Sequence, residues 1–161
     1  MAITKKKQVA ADKITVTDSN IAVKKMGELN VSYIKSKPYD RPESKILDNT
    51  SYSTAKKEYG LGLMGTGGKI MFRLFPDKND GRTRALANCQ ASDGETFAVG
   101  CSTNLAEQLN KLETFRQSER SRTVLLEPEA FTVYIMEGEE VNGEETQYFK
   151  LGTQQQAIAV V

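Results

Sequence analysis

The sequence predicts a mostly β chain with one helix, and three observations indicate this fold class. Apolar and polar residues alternate over 69–75 and over 82–91, which is the period of two that a half-buried strand requires. Ser92-Asp93-Gly94 then supplies a tight turn before a third alternating run over 95–102. Leucines recur at a spacing of three or four residues over 105–115, which predicts the helix.

Two more strands complete the predicted core. Residues 131–136 and 146–151 have strand composition and flank an acidic hairpin loop that contains Asn142-Gly143. The order β-β-β-α-β-β over 69–151 is similar to that of the oligonucleotide/oligosaccharide-binding (OB) barrel, in which a helix lies between the third and fourth strands. The resemblance lies in the order of elements, which other small β architectures share, and it implies an OB-like barrel or sheet.

Outside this core the chain divides into three further segments. Residues 1–12 are predicted as a flexible basic arm, and residues 13–64 as an N-terminal hairpin with its turn at 18–20, followed by an irregular segment rich in Tyr and Lys. The OB-like core spans 65–152, and residues 153–161 form a C-terminal tail. The tail ends in an apolar, strand-like run that is expected to add to a sheet edge of this chain or of a neighbouring copy.

The composition excludes the common catalytic chemistries. None of the 161 residues is histidine, so Ser-His-Asp and Cys-His catalysis and histidine-ligated metals are excluded. The two cysteines, Cys89 and Cys101, are too few for a disulfide framework or for a zinc site without histidine. We therefore expect a protein that is not an enzyme, with no catalytic residues, no metal and no cofactor.

No stretch approaches the roughly 18 apolar residues that a membrane span needs. We therefore expect a soluble protein of the cytoplasm, or of the host cytoplasm or particle if it is viral, with no membrane partner. Its net charge of +1 hides an asymmetry, because residues 1–84 carry 17 Lys+Arg against 9 Asp+Glu and residues 85–161 carry 5 against 12. Such a division indicates a surface for a polyanion or complementary faces for self-association, unless folding intermixes the two halves.

The outward face of the first two core strands is the first candidate binding surface. A hairpin connection at 76–81 places Arg73 opposite Arg84 and Phe75 opposite Arg82, with Lys69 on the same face. Like charges directly opposite each other are destabilising unless an anion lies between them. A phosphate or a carboxylate of the protein would serve, and a solvated basic face is the alternative.

The Tyr/Lys-rich segment is the second candidate. Single-stranded nucleic acid is held by cations along its backbone and by aromatic rings that stack on its bases. Tyrosine is equally typical of protein interfaces. The residues of this segment that we expect to contribute are Tyr33, Lys35, Lys37, Tyr39, Arg41, Tyr52, Lys56, Lys57 and Tyr59.

Two functional hypotheses follow. The first is a sequence-tolerant protein that binds single-stranded nucleic acid, DNA in the first instance, along Lys69, Arg73, Phe75, Arg82 and Arg84. The second is a structural assembly protein, such as a component of a virus or phage particle, that uses its arms for subunit contacts.

Overall fold

The computed structural model describes residues 20–35, 44–112, 115–116 and 122–153, and this part of the chain is mostly β. The strands are β1 (Ile21–Met26), β2 (Leu29–Ile34), β3 (Ile46–Ser51), β4 (Gly65–Thr66), β5 (Lys69–Pro76), β6 (Thr83–Gln90), β7 (Thr96–Gly100), β8 (Phe115–Arg116), β9 (Arg122–Leu126), β10 (Thr132–Val141) and β11 (Glu144–Gly152). The helices are α1 (Tyr52–Tyr59) and α2 (Thr103–Asn110). The predicted β-rich class is confirmed.

The strands form two open sheets around one core. Sheet I has the order β1-β2-β11-β10-β3, and sheet II has the order β7-β6-β5-β9-β8 with β4 beside β5. Phe72 of sheet II meets Phe131 edge-on at a centroid distance of 5.3 Å, and Tyr33 of sheet I stacks on Phe97 of sheet II at 4.5 Å. The inward side chains of both sheets therefore belong to the same apolar core.

The hairpin of β5 and β6 has a different register from the one expected. Arg73 lies opposite Leu86, and Phe75 lies opposite Arg84. Pairing continues to Pro76 and Thr83 before the connection begins, which moves β6 by two residues relative to the expectation. A shift of two keeps every side chain on its face, so the predicted faces hold. The predicted pairing of Arg73 with Arg84 is wrong.

The hairpin of β6 and β7 has the predicted register. Cys89 lies opposite Phe97 and Ala87 lies opposite Val99. The turn residue Gly94 has φ +89°, the left-handed conformation that glycine adopts without strain. The three-residue turn and the face assignment that followed from it are confirmed.

Helix α1 and strand β3 lie where irregular backbone was expected. The Ser51 hydroxyl accepts a hydrogen bond from the Thr54 N–H at 3.1 Å and caps the start of α1. Gly60, with φ +71°, ends the helix in the left-handed conformation. Tyr52 and Ala55 are buried against the core. This correction adds a second helix and extends the core to residues before 65.

The remaining differences concern the ends of elements. The hairpin observed near the N-terminus joins β1 to β2 through a turn at Gly27, and the predicted strand at 13–17 lies outside the described residues. Helix α2 begins two residues earlier than predicted, because the Ser102 hydroxyl accepts a hydrogen bond from the Leu105 N–H at 3.1 Å. It ends at Asn110, five residues before the predicted end, and Phe115 belongs to β8.

The first half of strand β10, from Thr132 to Met136, is buried on both faces, and Tyr134 within it allows a test of the core. The hydroxyl of Tyr134, a residue that is 1% exposed, has no hydrogen-bond partner among the described residues. A buried polar group without a partner costs free energy, so we expect Tyr134→Phe to raise the free energy of unfolding by up to about 1 kcal/mol. Urea denaturation followed by circular dichroism measures this change.

Tyr52→Phe is the matched control for this experiment. The Tyr52 hydroxyl accepts a hydrogen bond from the buried Leu63 N–H at 2.9 Å, so its removal leaves a donor unsatisfied. We expect Tyr52→Phe to lower the free energy of unfolding by about 1–3 kcal/mol. Equal losses in the two variants would contradict the assignment of Tyr134 as the unsatisfied group.

Candidate functional site

The outward surface of sheet II, which we call the open face, carries no carboxylate at the strand positions that form it. Inward residues such as Phe72 and Leu74 are buried, and the residues that alternate with them point away from the core. The open face is made of Lys69, Met71, Arg73 and Phe75 of β5, Arg84, Leu86, Asn88 and Gln90 of β6, Thr96, Ala98 and Gly100 of β7, and Leu125 of β9, beside which the outward residue Thr123 is buried.

An inserted segment widens this surface between β5 and β6. The Met64 N–H donates to the Asn88 carbonyl oxygen at 2.8 Å, and the Met71 N–H donates to the Met64 carbonyl oxygen at 3.0 Å. Leu63 beside it is buried, whereas Met64 is 45% exposed and Met71 is 37% exposed. Two methionines therefore lie side by side on the open face.

Arg73 is the cation of the open face that the protein leaves available. Its side chain is exposed, and it is flanked along β5 by Met71 and Phe75. Among residues 20–35, 44–112 and 122–153, no carboxylate forms an ion pair with it. A guanidinium of this kind can bind a phosphate through two parallel hydrogen bonds while its neighbours provide apolar contact.

Arg84, in contrast, is held by the connection between β5 and β6. Its Nε donates to Asp77 Oδ2 at 2.9 Å, and its Nη2 donates to Asp80 Oδ2 at 2.8 Å. The hydrogen bond from Arg84 lowers the pKa of the Asp77 carboxyl below its usual range. Both carboxylates belong to the protein, so Arg84 has the internal carboxylate partner that the sequence analysis gave as one alternative to a phosphate.

The other two predicted cations of this hairpin also have carboxylate neighbours. Arg82 precedes β6, and its Nη2 lies 2.8 Å from Glu107 Oε2 on α2. Lys69 lies 3.8 Å from Glu127 at the margin of the open face, and both side chains are largely exposed. A pair so exposed and so long holds its lysine weakly.

The three tyrosines of the predicted clasp that the structure describes belong to the core. Tyr33 is 6% exposed, and its hydroxyl donates to Glu95 at 3.0 Å. Tyr52 is 5% exposed, and Tyr59 is half-buried with its ring 6.1 Å from that of Phe149. The rings of Tyr33 and Tyr52 are packed against protein and that of Tyr59 partly so, which disfavours the expectation that they stack on a ligand.

The lysines of the same segment are separated from the open face in the fold. Lys35 follows β2 of sheet I, and Lys56 and Lys57 are exposed on α1. Lys37, Tyr39 and Arg41 lie outside the described residues. Sheet II therefore brings together Lys69, Arg73, Phe75 and Arg84. The described residues of the Tyr/Lys segment belong to other elements and do not join this surface.

Folding also intermixes the charges of the two halves of the sequence. Lys24 of β1 lies 2.5 Å from Asp93 and 2.7 Å from Glu95. These hydrogen bonds raise the pKa of Lys24 above its ordinary value and lower those of the two carboxyls. Together with the pairs of Lys69 and Arg82 they neutralise cations of the first half with acids of the second. The charge asymmetry along the chain is therefore a poor measure of surface potential.

A cleft of about 360 Å³ lies elsewhere, between the β1–β2 turn, the end of α1 and the β6–β7 turn. Its lining is of mixed charge, with Lys24 and Lys25 beside Glu58 and Asp93. Lys24 and Asp93 are paired with each other there. This lining provides no dominant charge for a ligand, so the cleft is a weaker candidate than the open face.

Neither thiol is suited to nucleophilic chemistry. Burial raises the pKa of the Cys89 thiol to about 11 and raises that of Cys101 as well. Both cysteines are free and protonated at neutral pH. Within the described residues, no group of three or more Cys, Asp or Glu side chains is placed to hold a metal ion. No helix in that part of the chain is long and apolar enough to cross a membrane.

Sequence reasoning missed several residues that shape the open face. Met64 and Leu125 supply apolar surface, and Asp77 and Asp80 bind Arg84. Asp77 and Asp80 are typical turn residues next to a predicted cation. Met64 had no such signal, because its position depends on the insertion of its segment between two strands.

No protein-family model, curated protein or solved structure matches this chain. Its function is therefore inferred from the geometry of the open face.

Proposed function

We propose that the protein binds single-stranded nucleic acid along the open face of sheet II, in a sequence-tolerant and non-enzymatic manner. One observation carries the proposal: the outward strand positions contain no Asp or Glu, and they present Arg73 without an ion pair to any residue that the structure describes. A surface of this charge attracts a polyanion and repels none of its phosphates at the strand positions.

The chemistry of the face favours a single strand over a duplex. Met64, Met71 and Phe75 offer apolar contact to the faces of unpaired bases, which a duplex keeps inside its stack. Arg73 and Lys69 lie on the same face of β5, four residues and therefore about 13 Å apart, so both can contact one phosphate backbone that runs along the strand. Contact with the base faces tolerates any sequence, since every base has a π-face.

An OB-like arrangement is part of this proposal. The order β5, β6, β7 and α2 supports it, since a helix follows three consecutive strands as it does in that fold. OB folds bind oligonucleotides on a strand surface, which is also where the open face lies.

Self-association through the same face is the second candidate function. The adjacent exposed side chains of Met64 and Met71, beside the half-buried Leu86 and Leu125, favour it. A subunit of a larger assembly, such as a virus or phage particle, would bury these residues against another copy.

Fluorescence anisotropy with a labelled oligothymidylate of about 20 nucleotides tests the proposal. We expect binding at about 50 mM salt that weakens as salt rises, with a slope of log K against log salt near −0.7 for each phosphate contacted. Absence of binding at micromolar protein would overturn the proposal. Gel filtration of the protein without oligonucleotide tests the second candidate function, because self-association requires oligomers in dilute buffer.

A further inference from the structure

We propose that Asp77 and Asp80 act as a built-in competitor for the nucleic-acid site, because they occupy Arg84 and so restrict the ligand to the part of the open face around Arg73 and Lys69. This inference rests on the proposed function and concerns its regulation. Asp77 and Asp80 would limit both the length of the binding site and its affinity for the ligand.

Arg84 lies on the open face close to the other candidate binding residues. Arg84 is an outward residue of β6 and lies directly opposite Phe75, two residue pairs along the ladder from Arg73 and Leu86. Two outward arginines on adjacent strands, with Phe75 beside both, would make a continuous cationic and aromatic strip. The backbone alone therefore places Arg84 where a phosphate contact is expected.

The guanidinium of Arg84 forms ion pairs with two carboxylates of the same chain. Two of its guanidinium nitrogens are directed to the loop carboxylates, Nε to Asp77 at 2.9 Å and Nη2 to Asp80 at 2.8 Å. A phosphate would need these donors for bidentate binding. The two carboxylates outnumber the single charge of Arg84, so a phosphate that approaches this arginine must compete with both of them.

The loop between β5 and β6 holds both carboxylates in place. Asp77 Oδ1 accepts the Asn79 N–H at 2.7 Å, and Asp80 Oδ1 accepts the Arg82 N–H at 2.9 Å. Each aspartate thus uses one oxygen for the turn and the other for Arg84. Asparagine keeps the oxygen that the turn requires and removes the charge that binds Arg84.

The experiment compares oligothymidylate binding by the wild-type protein, Asp80→Asn and the double variant Asp77→Asn with Asp80→Asn. We expect the double variant to bind about three- to tenfold more tightly at about 50 mM salt. We also expect its salt slope to be steeper by about 0.7, which corresponds to one additional phosphate contact. Adding Arg84→Gln to the double variant should abolish both gains.

Glu107→Gln is the matched control. It removes a carboxylate from Arg82, which belongs to the same connection but is held by α2 rather than by the loop. Both Glu107→Gln and Asp80→Asn change the net charge by one, so a general electrostatic effect would strengthen binding equally. A gain with Asp80→Asn that exceeds the gain with Glu107→Gln supports the inference.

The outcomes separate this inference from the proposed function. Binding by the wild-type protein with no gain in the double variant overturns the inference and leaves the proposed function standing. Absence of binding by every protein in the set overturns both. Thermal melts of each variant show whether the turn is intact, and Asp80→Asn alone provides a milder change if the double variant melts early.

Discussion

Phe72→Ala is expected to lower the free energy of unfolding by about 3–5 kcal/mol, which is a large part of the total stability of a small domain. Phe72 is 0% exposed and lies in β5, the strand of sheet II between β6 and β9. Its ring meets that of Phe131 edge-on at a centroid distance of 5.3 Å. Its removal leaves a cavity where the two sheets share their core. Urea denaturation followed by circular dichroism measures the loss.

Met71→Ala is the control for this prediction. Met71 is the neighbouring residue of β5, but it lies on the open face and is 37% exposed. We expect it to change the free energy of unfolding by less than about 1 kcal/mol, because exposed substitutions leave no cavity. Phe72→Leu retains most of the buried volume and provides a folded variant if the alanine variant is unfolded. Similar losses for Phe72→Ala and Met71→Ala would contradict the assignment of the two faces.

The faces of sheet II could be predicted from sequence because alternation is a local property. Ile70, Phe72 and Leu74 alternate with Lys69, Met71 and Arg73, and the structure buries the first set and exposes the second. The register of the β5–β6 hairpin could not be predicted in the same way. It depends on how far pairing continues before the connection, and here it continues to Pro76 and Thr83. Because of that difference of two residues, Arg73 lies opposite Leu86 and not opposite Arg84.

Helix α1 left a signal that a search for long apolar runs does not detect. Tyr52, Ala55 and Tyr59 recur at helical spacing, with Ser51 at the start and Gly60 at the end. Alternating lysines and tyrosines favoured a binding segment instead. A tyrosine ring suits a core and an interface equally well, so only the contacts of Tyr52 with Leu63 and of Tyr33 with Phe97 decide between them.

These corrections concentrate the candidate site on fewer residues. Tyr33 and Tyr52 lie in the core, Arg82 pairs with Glu107 of α2, and Arg84 is held by Asp77 and Asp80. Arg73 remains as the outward cation without an ion pair in the described part of the chain, and the proposal for nucleic-acid binding therefore depends mainly on its side chain.

Arg73→Glu is expected to weaken oligothymidylate binding by about tenfold or more at about 50 mM salt. It removes one phosphate contact and places a negative charge in the middle of a face that otherwise has none at its strand positions. The salt slope should become shallower by about 0.7, since one fewer phosphate is neutralised. Anisotropy titrations at several salt concentrations measure both quantities.

Lys56→Glu makes the same change of charge on α1, away from the open face, and is the control for a general electrostatic effect. We expect it to weaken binding much less than Arg73→Glu does. Because Arg73 is exposed and has no partner among the described residues, its replacement should leave the thermal melting temperature close to that of the wild-type protein. Equal weakening by the two variants would place the ligand elsewhere than on the open face, whereas selective weakening by Arg73→Glu would place it along β5.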